Sequence, residues 1–271
     1  MSQYQIGLST CEKSIREELF AAYQQAGIKM MELSLPSNQY DGLDYTAVER
    51  WARSYGVDLW SFHLPFSPFS VLDPSKREKC DHTVAYFSKL IDKASAIGIT
   101  RFVVHPSGEP IAEDDRPARM ACAKESLARL ADYAATKGAV MAVEDLPRTC
   151  LGRNSEELLE LLSAHEGLRV CFDTNHLLTE DPVTFIRRVG KKIVTTHVSD
   201  YDLLDEKHWL PGEGKLDWTA LIQALDEIGY EGVWLYELGF TPPKTLSRPR
   251  DLTCEDIVAN AKGLFEAASK A

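Results

Sequence analysis

Much is missing from these 271 residues, and each absence closes off a class of function. No apolar run approaches the roughly 20 residues needed to span a bilayer. The N-terminal MetSerGlnTyrGlnIleGlyLeuSerThr lacks the basic-then-apolar order of a secretory leader, so neither a leader nor a membrane partner is expected. The six cysteines (Cys11, Cys80, Cys122, Cys150, Cys171 and Cys254) form no CxxC pair, and reduced thiols in a cytoplasmic protein are the plain reading. Positive charge is short as well: 30 Lys and Arg against 41 Asp and Glu leave a net −11. Nucleic-acid binding relies on cations that neutralise phosphates, so nucleic acid is not the expected partner and a small molecule is. No GxGxxG turn follows the first strand-like run, which argues against a dinucleotide-binding open sheet. No linker or low-complexity stretch divides the chain, and residues 1–271 read as a single domain.

What is present alternates regularly. Strand-like runs occupy 5–10, 30–36, 59–65, 101–107, 140–147, 169–174, 193–199 and 232–239. Between them apolar residues recur at helical spacing, as in Leu127, Leu130, Ala131 and Ala134, or Leu158, Leu159, Leu161 and Leu162. Glycines at 27, 98, 138 and 229 mark helix ends. Asn154 with Glu157, and Thr253 with Asp256, mark helix starts. Eight β–α units in roughly 250 residues predict an α/β fold, a single (β/α)8 TIM barrel. Two longer loops, 200–216 and 239–252, follow strands seven and eight on the face where barrels place their chemistry.

Strands five to eight each end in a metal-binding side chain: Glu144, Asp173, His197 and Glu237. A strand buried on both faces reads as an unbroken apolar run, and an ionised carboxylate at its end is costly unless paired or bound to a cation. Three carboxylates and an imidazole, one per successive strand, suggest one shared divalent ion: Mn²⁺, Mg²⁺, Co²⁺ or Zn²⁺. His63, His105 and His176 sit at or just beyond other strand ends, and His208 lies in the first long loop; with His197 they outline a polar pocket. His82 and His165 are read as surface or packing residues in helices. Phe66, Phe69, Trp209 and Phe240 are candidates for an aromatic wall, whereas Trp60 is assigned to the core. Arg148, Lys244, Arg248 and Arg250 are either anion anchors or a solvated basic rim.

PheHisLeuPro, PheValValHisProSer, ValGluAsp, CysPheAspThrAsnHis, ThrHisValSerAsp, HisTrpLeuProGlyGluGlyLysLeuAspTrp and TyrGluLeu together resemble the sugar isomerase/epimerase group of xylose isomerase-like barrels, over nearly the whole chain. The resemblance implies that Glu144, Asp173, His197 and Glu237 hold the metal, and that His176 contacts substrate oxygen. It implies a metal-dependent isomerase or epimerase of a monosaccharide or keto-sugar, with Glu144 and Glu237 as acid and base around a metal-stabilised enediolate. His63, His105, His208, Trp209 and Arg148 are then the further substrate-binding candidates. Loss of a hydroxyl from the same site would make the chain a keto-sugar or inosose dehydratase or lyase. The superfamily also holds apurinic-site endonucleases with three zinc ions, whose loop Asp-x-His pair is here Glu206 and His208. Similar barrels often form homo-oligomers, although no segment identifies an interface.

Overall fold

The computed structural model describes residues 4–66 and 71–271; Phe69, an aromatic-wall candidate, lies outside them. Among the described residues a sheet of parallel strands runs in the order β7-β6-β5-β4-β3-β2-β1-β8. The strands are β1 (Ile6–Ser9), β2 (Met30–Leu33), β3 (Asp58–His63), β4 (Arg101–Val104), β5 (Val140–Glu144), β6 (Arg169–Asp173), β7 (Ile193–His197) and β8 (Trp234–Tyr236). One helix follows each: α1 (Glu17–Ala26), α2 (Tyr45–Tyr55), α3 (Arg77–Ser95), α4 (Arg116–Ala135), α5 (Ser155–Leu162), α6 (Pro182–Val189), α7 (Trp218–Glu227) and α8 (Cys254–Lys270). The seam between β7 and β8 closes where the Val198 N–H donates to the Leu235 carbonyl (2.8 Å) and the Glu237 N–H to that of Val198 (3.2 Å). This is the expected (β/α)8 barrel.

Outward-facing strand residues build the core between sheet and helices. Leu8, Met31, Phe62, Phe102 and Phe172 are fully buried there, and Phe172 stacks on Phe185 of α6. Helix ends follow the residues that announced them: Gly27 caps α1 with φ +86°, Asn154 accepts the Glu157 N–H, and Thr253 with Asp256 forms a reciprocal capping box. Most strands stop two or three residues earlier than their apolar runs suggest. Most of the extra residues leave the ladder but stay buried as the roots of the loops, Pro36 being exposed; Thr10 and Ser34, for example, bond each other across that rim. His165 lies in the turn after α5 rather than in a helix, beside Asp132 at 3.2 Å. His82 is exposed on α3, as expected.

Two strands carry an extra residue. Met31 pairs with Leu59 but Glu32 with Ser61; Val170 pairs with Ile193 but Cys171 with Thr195. These bulges fall at Trp60–Ser61 and Val194–Thr195, and the Trp60 indole N–H donates to the Thr195 hydroxyl (3.1 Å), joining them. Trp60 packs on Met30, Val233 and Leu235 inside the barrel, consistent with its assignment to the core.

Candidate metal centre

Glu144, Asp173 and His197 end their strands, and Glu237 directly follows β8. Their donor atoms all lie within 4.8 Å of one another, with every side chain buried. His197 Nδ1 stands 3.1 Å from Glu144 Oε1, 3.2 Å from Glu237 Oε2 and 3.9 Å from Asp173 Oδ2. The last oxygen has no hydrogen-bond partner among the described residues although it is buried. A buried carboxylate oxygen aimed at two more carboxylates and an imidazole makes a donor set that a divalent cation would fit.

The histidines crowd the same carboxylates. His63 Nε2 and His105 Nε2 each reach Glu144 Oε2 at 3.0 Å, and His176 Nδ1 lies 2.8 Å from the Asp145 carbonyl. His208 Nε2 meets Glu206 Oε1 at 3.0 Å. Phe66 covers His63 and His105, with ring centroids 4.8 and 4.1 Å apart. Burial opposes the charge on Glu144, but the His197 and His105 imidazoles overcome it and hold its carboxyl well below the usual range. Glu237 is likewise brought down to about 2 against burial by His197. Burial dominates at Asp173, which is pushed up to about 6. His208 is raised to about 9, Glu206 and Asp173 outweighing burial.

Other candidates sit around this cluster in defined roles. Arg148, with its backbone at φ +54°, spends its guanidinium on Glu109 (2.7 Å), Asp205 (2.9 Å) and Glu206 (2.9 Å). Arg248 is paired with Glu213 and Arg250 with Asp256, while Lys244 is exposed. The Trp209 indole donates to Thr245, tying the two long loops together, and Phe240 lies under the Lys13 ammonium. Beside this carboxylate–imidazole cluster opens a cavity of about 190 Å³, walled by Phe66, Leu72, Phe87 and Leu146 and edged by His105, His176, Arg148 and Glu206.

Four residues that shape the site were not singled out as candidates from the sequence, although Asp145 and Asp200 close the ValGluAsp and ThrHisValSerAsp segments. Glu32 on β2 is fully buried and faces His197. Its signal was available, since a carboxylate inside the apolar run MetMetGluLeu raises the same question as Glu144. The Asp145 carboxylate accepts the Asp173 N–H (2.8 Å), and burial drives its carboxyl well up. Lys13 donates to the carbonyls of Ser9, Cys11 and Leu238, pinning the β1 loop beside Glu237. Asp200 anchors the loop after β7 by accepting from the Tyr201 and Gly212 amides and the Trp218 indole.

Known proteins share this frame. A family model described as xylose isomerase-like TIM barrel matches residues 20–252. The uncharacterized protein MJ1311 of Methanocaldococcus jannaschii is 28% identical over 180 residues, 63% of this chain and 61% of that one. Inosose isomerase of Bacillus velezensis is 29% identical over 154 residues, 53% of each chain. Fructoselysine 3-epimerase of Escherichia coli O157:H7 is 27% identical over 120 residues, 42% of this chain and 44% of that one. The chain thus spans less than two thirds of each of these relatives. Among solved structures, a D-tagatose 3-epimerase-like protein superposes with a TM-score of 0.81 at 22% identity, covering 98% of both chains. An L-ribulose 3-epimerase gives 0.77 at 17%, covering 98% of this chain and 95% of that one. At such identities the structural likeness speaks for the fold, while the family match extends over most of the sequence. The chain belongs to the xylose isomerase-like TIM barrel family.

Proposed function

We propose that this protein is a metal-dependent isomerase or epimerase of a monosaccharide or keto-sugar, with Glu144 and Glu237 as its acid and base. The observation that carries the reading is the convergence of Glu144, Asp173, His197 and Glu237 beside a cavity of monosaccharide scale. Relatives named as 3-epimerases and as an inosose isomerase point the same way. A divalent ion held by these four residues supplies Lewis acidity towards a substrate carbonyl and its neighbouring hydroxyl. Glu144 and Glu237 then move the proton on the carbon next to that carbonyl. Acting from opposite faces they epimerise it; one of them working along a single face isomerises. Relatives named inosose dehydratase show the neighbouring outcome, in which a hydroxyl leaves.

Glu144→Gln and Glu237→Gln are each expected to lower kcat on the productive keto-sugar by about 10²–10⁴-fold. Unchanged turnover in both would sink the assignment. A second reading, an apurinic-site endonuclease, is favoured by one observation: His63, His105 and Glu144, and separately His176, Glu206 and His208, also gather as ligand groups. Metal content separates the two. About one ion per chain, lost in His197→Ala, supports the sugar enzyme; close to three zinc ions sends the search to abasic DNA.

A further inference from the structure

His197 is gripped from both sides. While Nδ1 faces the ligand carboxylates, Nε2 lies 3.0 Å from Glu32 Oε1 and 3.1 Å from Oε2 across the barrel, with hydrogen-bond alignment to Oε2. Oε2 also accepts the Ser61 hydroxyl at 2.7 Å, which holds the carboxylate in place. Neither Glu32 nor His197 is exposed to solvent, so an unpaired charge on either would be costly. A ring whose Nε2 proton is given to Glu32 has its lone pair on Nδ1, the atom among Glu144, Asp173 and Glu237. The other tautomer would turn an N–H towards the ligand cluster and a lone pair towards a carboxylate. Backbone irregularity supports the same contact: the bulge at Trp60–Ser61 sets Ser61 opposite Glu32, and that at Val194–Thr195 precedes His197.

We propose that Glu32 is a positioning residue for the metal centre, fixing the tautomer and tilt of His197 so that Nδ1 serves as the metal ligand. This rests on the metal-site reading above. A carboxylate behind a ligating imidazole raises its basicity and typically accounts for 10–100-fold in metal affinity. Glu32 itself stays out of the donor set formed by Glu144, Asp173, His197 and Glu237.

The test uses the full chain loaded with Co²⁺, whose dissociation constant is measured by competition with a chromogenic chelator and whose visible absorption reports ligand geometry. Glu32→Ala is expected to weaken Co²⁺ binding about 10–100-fold and Glu32→Gln, which keeps an acceptor but no charge, about tenfold. Both should alter the Co²⁺ bands, and the metal-free Tm serves as the folding control. A merely structural role would lower that Tm and leave the affinity of the folded fraction and its spectrum alone. If Glu32→Ala fails to fold, Glu32→Gln decides. Glu32→Gln with affinity within twofold of wild type and an unshifted spectrum overturns the proposal. Wild-type protein that takes up no Co²⁺ overturns the metal reading itself and this proposal with it.

Discussion

Asp173 holds one buried carboxylate oxygen with no hydrogen-bond partner among the described residues, and the strain of burying its charge pushes its pKa up to about 6. A buried acid whose folded value exceeds its unfolded value of about 3.9 binds its proton more tightly when folded. It therefore subtracts stability as pH rises through about 4 to 6. Metal-free protein should accordingly lose on the order of 2 kcal/mol from this group between pH 4 and pH 7. Asp173→Asn keeps an Oδ1 acceptor for the Asn175 N–H and removes the charge. It is expected to be more stable than wild type at pH 7 in chelator, to lack that slope, and to bind metal poorly. Urea unfolding at several pH values, with and without metal, checks all three; a variant less stable than wild type in chelator would refute the assignment of strain. At this scale the sequence drew attention to the four donor side chains because each stands at or near the end of an apolar run. It hid Lys13 and Asp200, whose ammonium and carboxylate find partners brought close by folding: Leu238 for Lys13, and Gly212 and Trp218 for Asp200.

Single elements were legible where their chemistry is local. Capping at Asn154 and Thr253 involves partners three residues away, so the helix starts could be read directly. Strand ends were not, because the loop roots are as buried as the strands and only hydrogen bonding distinguishes them. Helix α5 also depends on a distant contact: Glu157 accepts from Nη2 and Nε of Arg116 at 2.6 and 2.8 Å. Arg116 offsets the burial of Glu157 and depresses its pKa, so this pair contributes stability above the ordinary Glu value of about 4.3 and loses it as pH falls. Glu157→Gln should flatten the acid limb of the stability curve below that pH while changing stability at pH 7 by about 1–2 kcal/mol. An unchanged acid limb would show that the pair adds nothing. In the loop after β7, Asp200→Ala removes the acceptors of three amides and an indole, and is expected to cost about 3 kcal/mol. Because that loop carries Glu206 and His208, activity should fall further than stability, which a comparison of kcat/KM with Tm would reveal.

For the molecule as a whole, alternation of apolar runs and the lack of a nucleotide turn were enough to select a barrel, since βαβ units close only in a few ways. A ligand set drawn from four strands should couple metal to global stability. Metal at a hundred times its dissociation constant adds about 2.7 kcal/mol, a rise in Tm of about 5–10 °C over chelated protein. A thermal scan that shows no difference would argue that the four donors do not share an ion. The two bulges bear on chain length in a further way. Side chains along a strand alternate faces, so one surplus residue resets the parity of everything after it. His63 and His197 each follow such a surplus. Deleting Val194 would merely erase the surplus and leave His197 opposite Asp173, whereas deleting Thr196, the residue just before His197, would act as a frame shift in β7. That deletion would hand the place of His197 to Val198, which otherwise packs towards the helices, and leave a well-filled barrel whose carboxylate cluster has lost that imidazole.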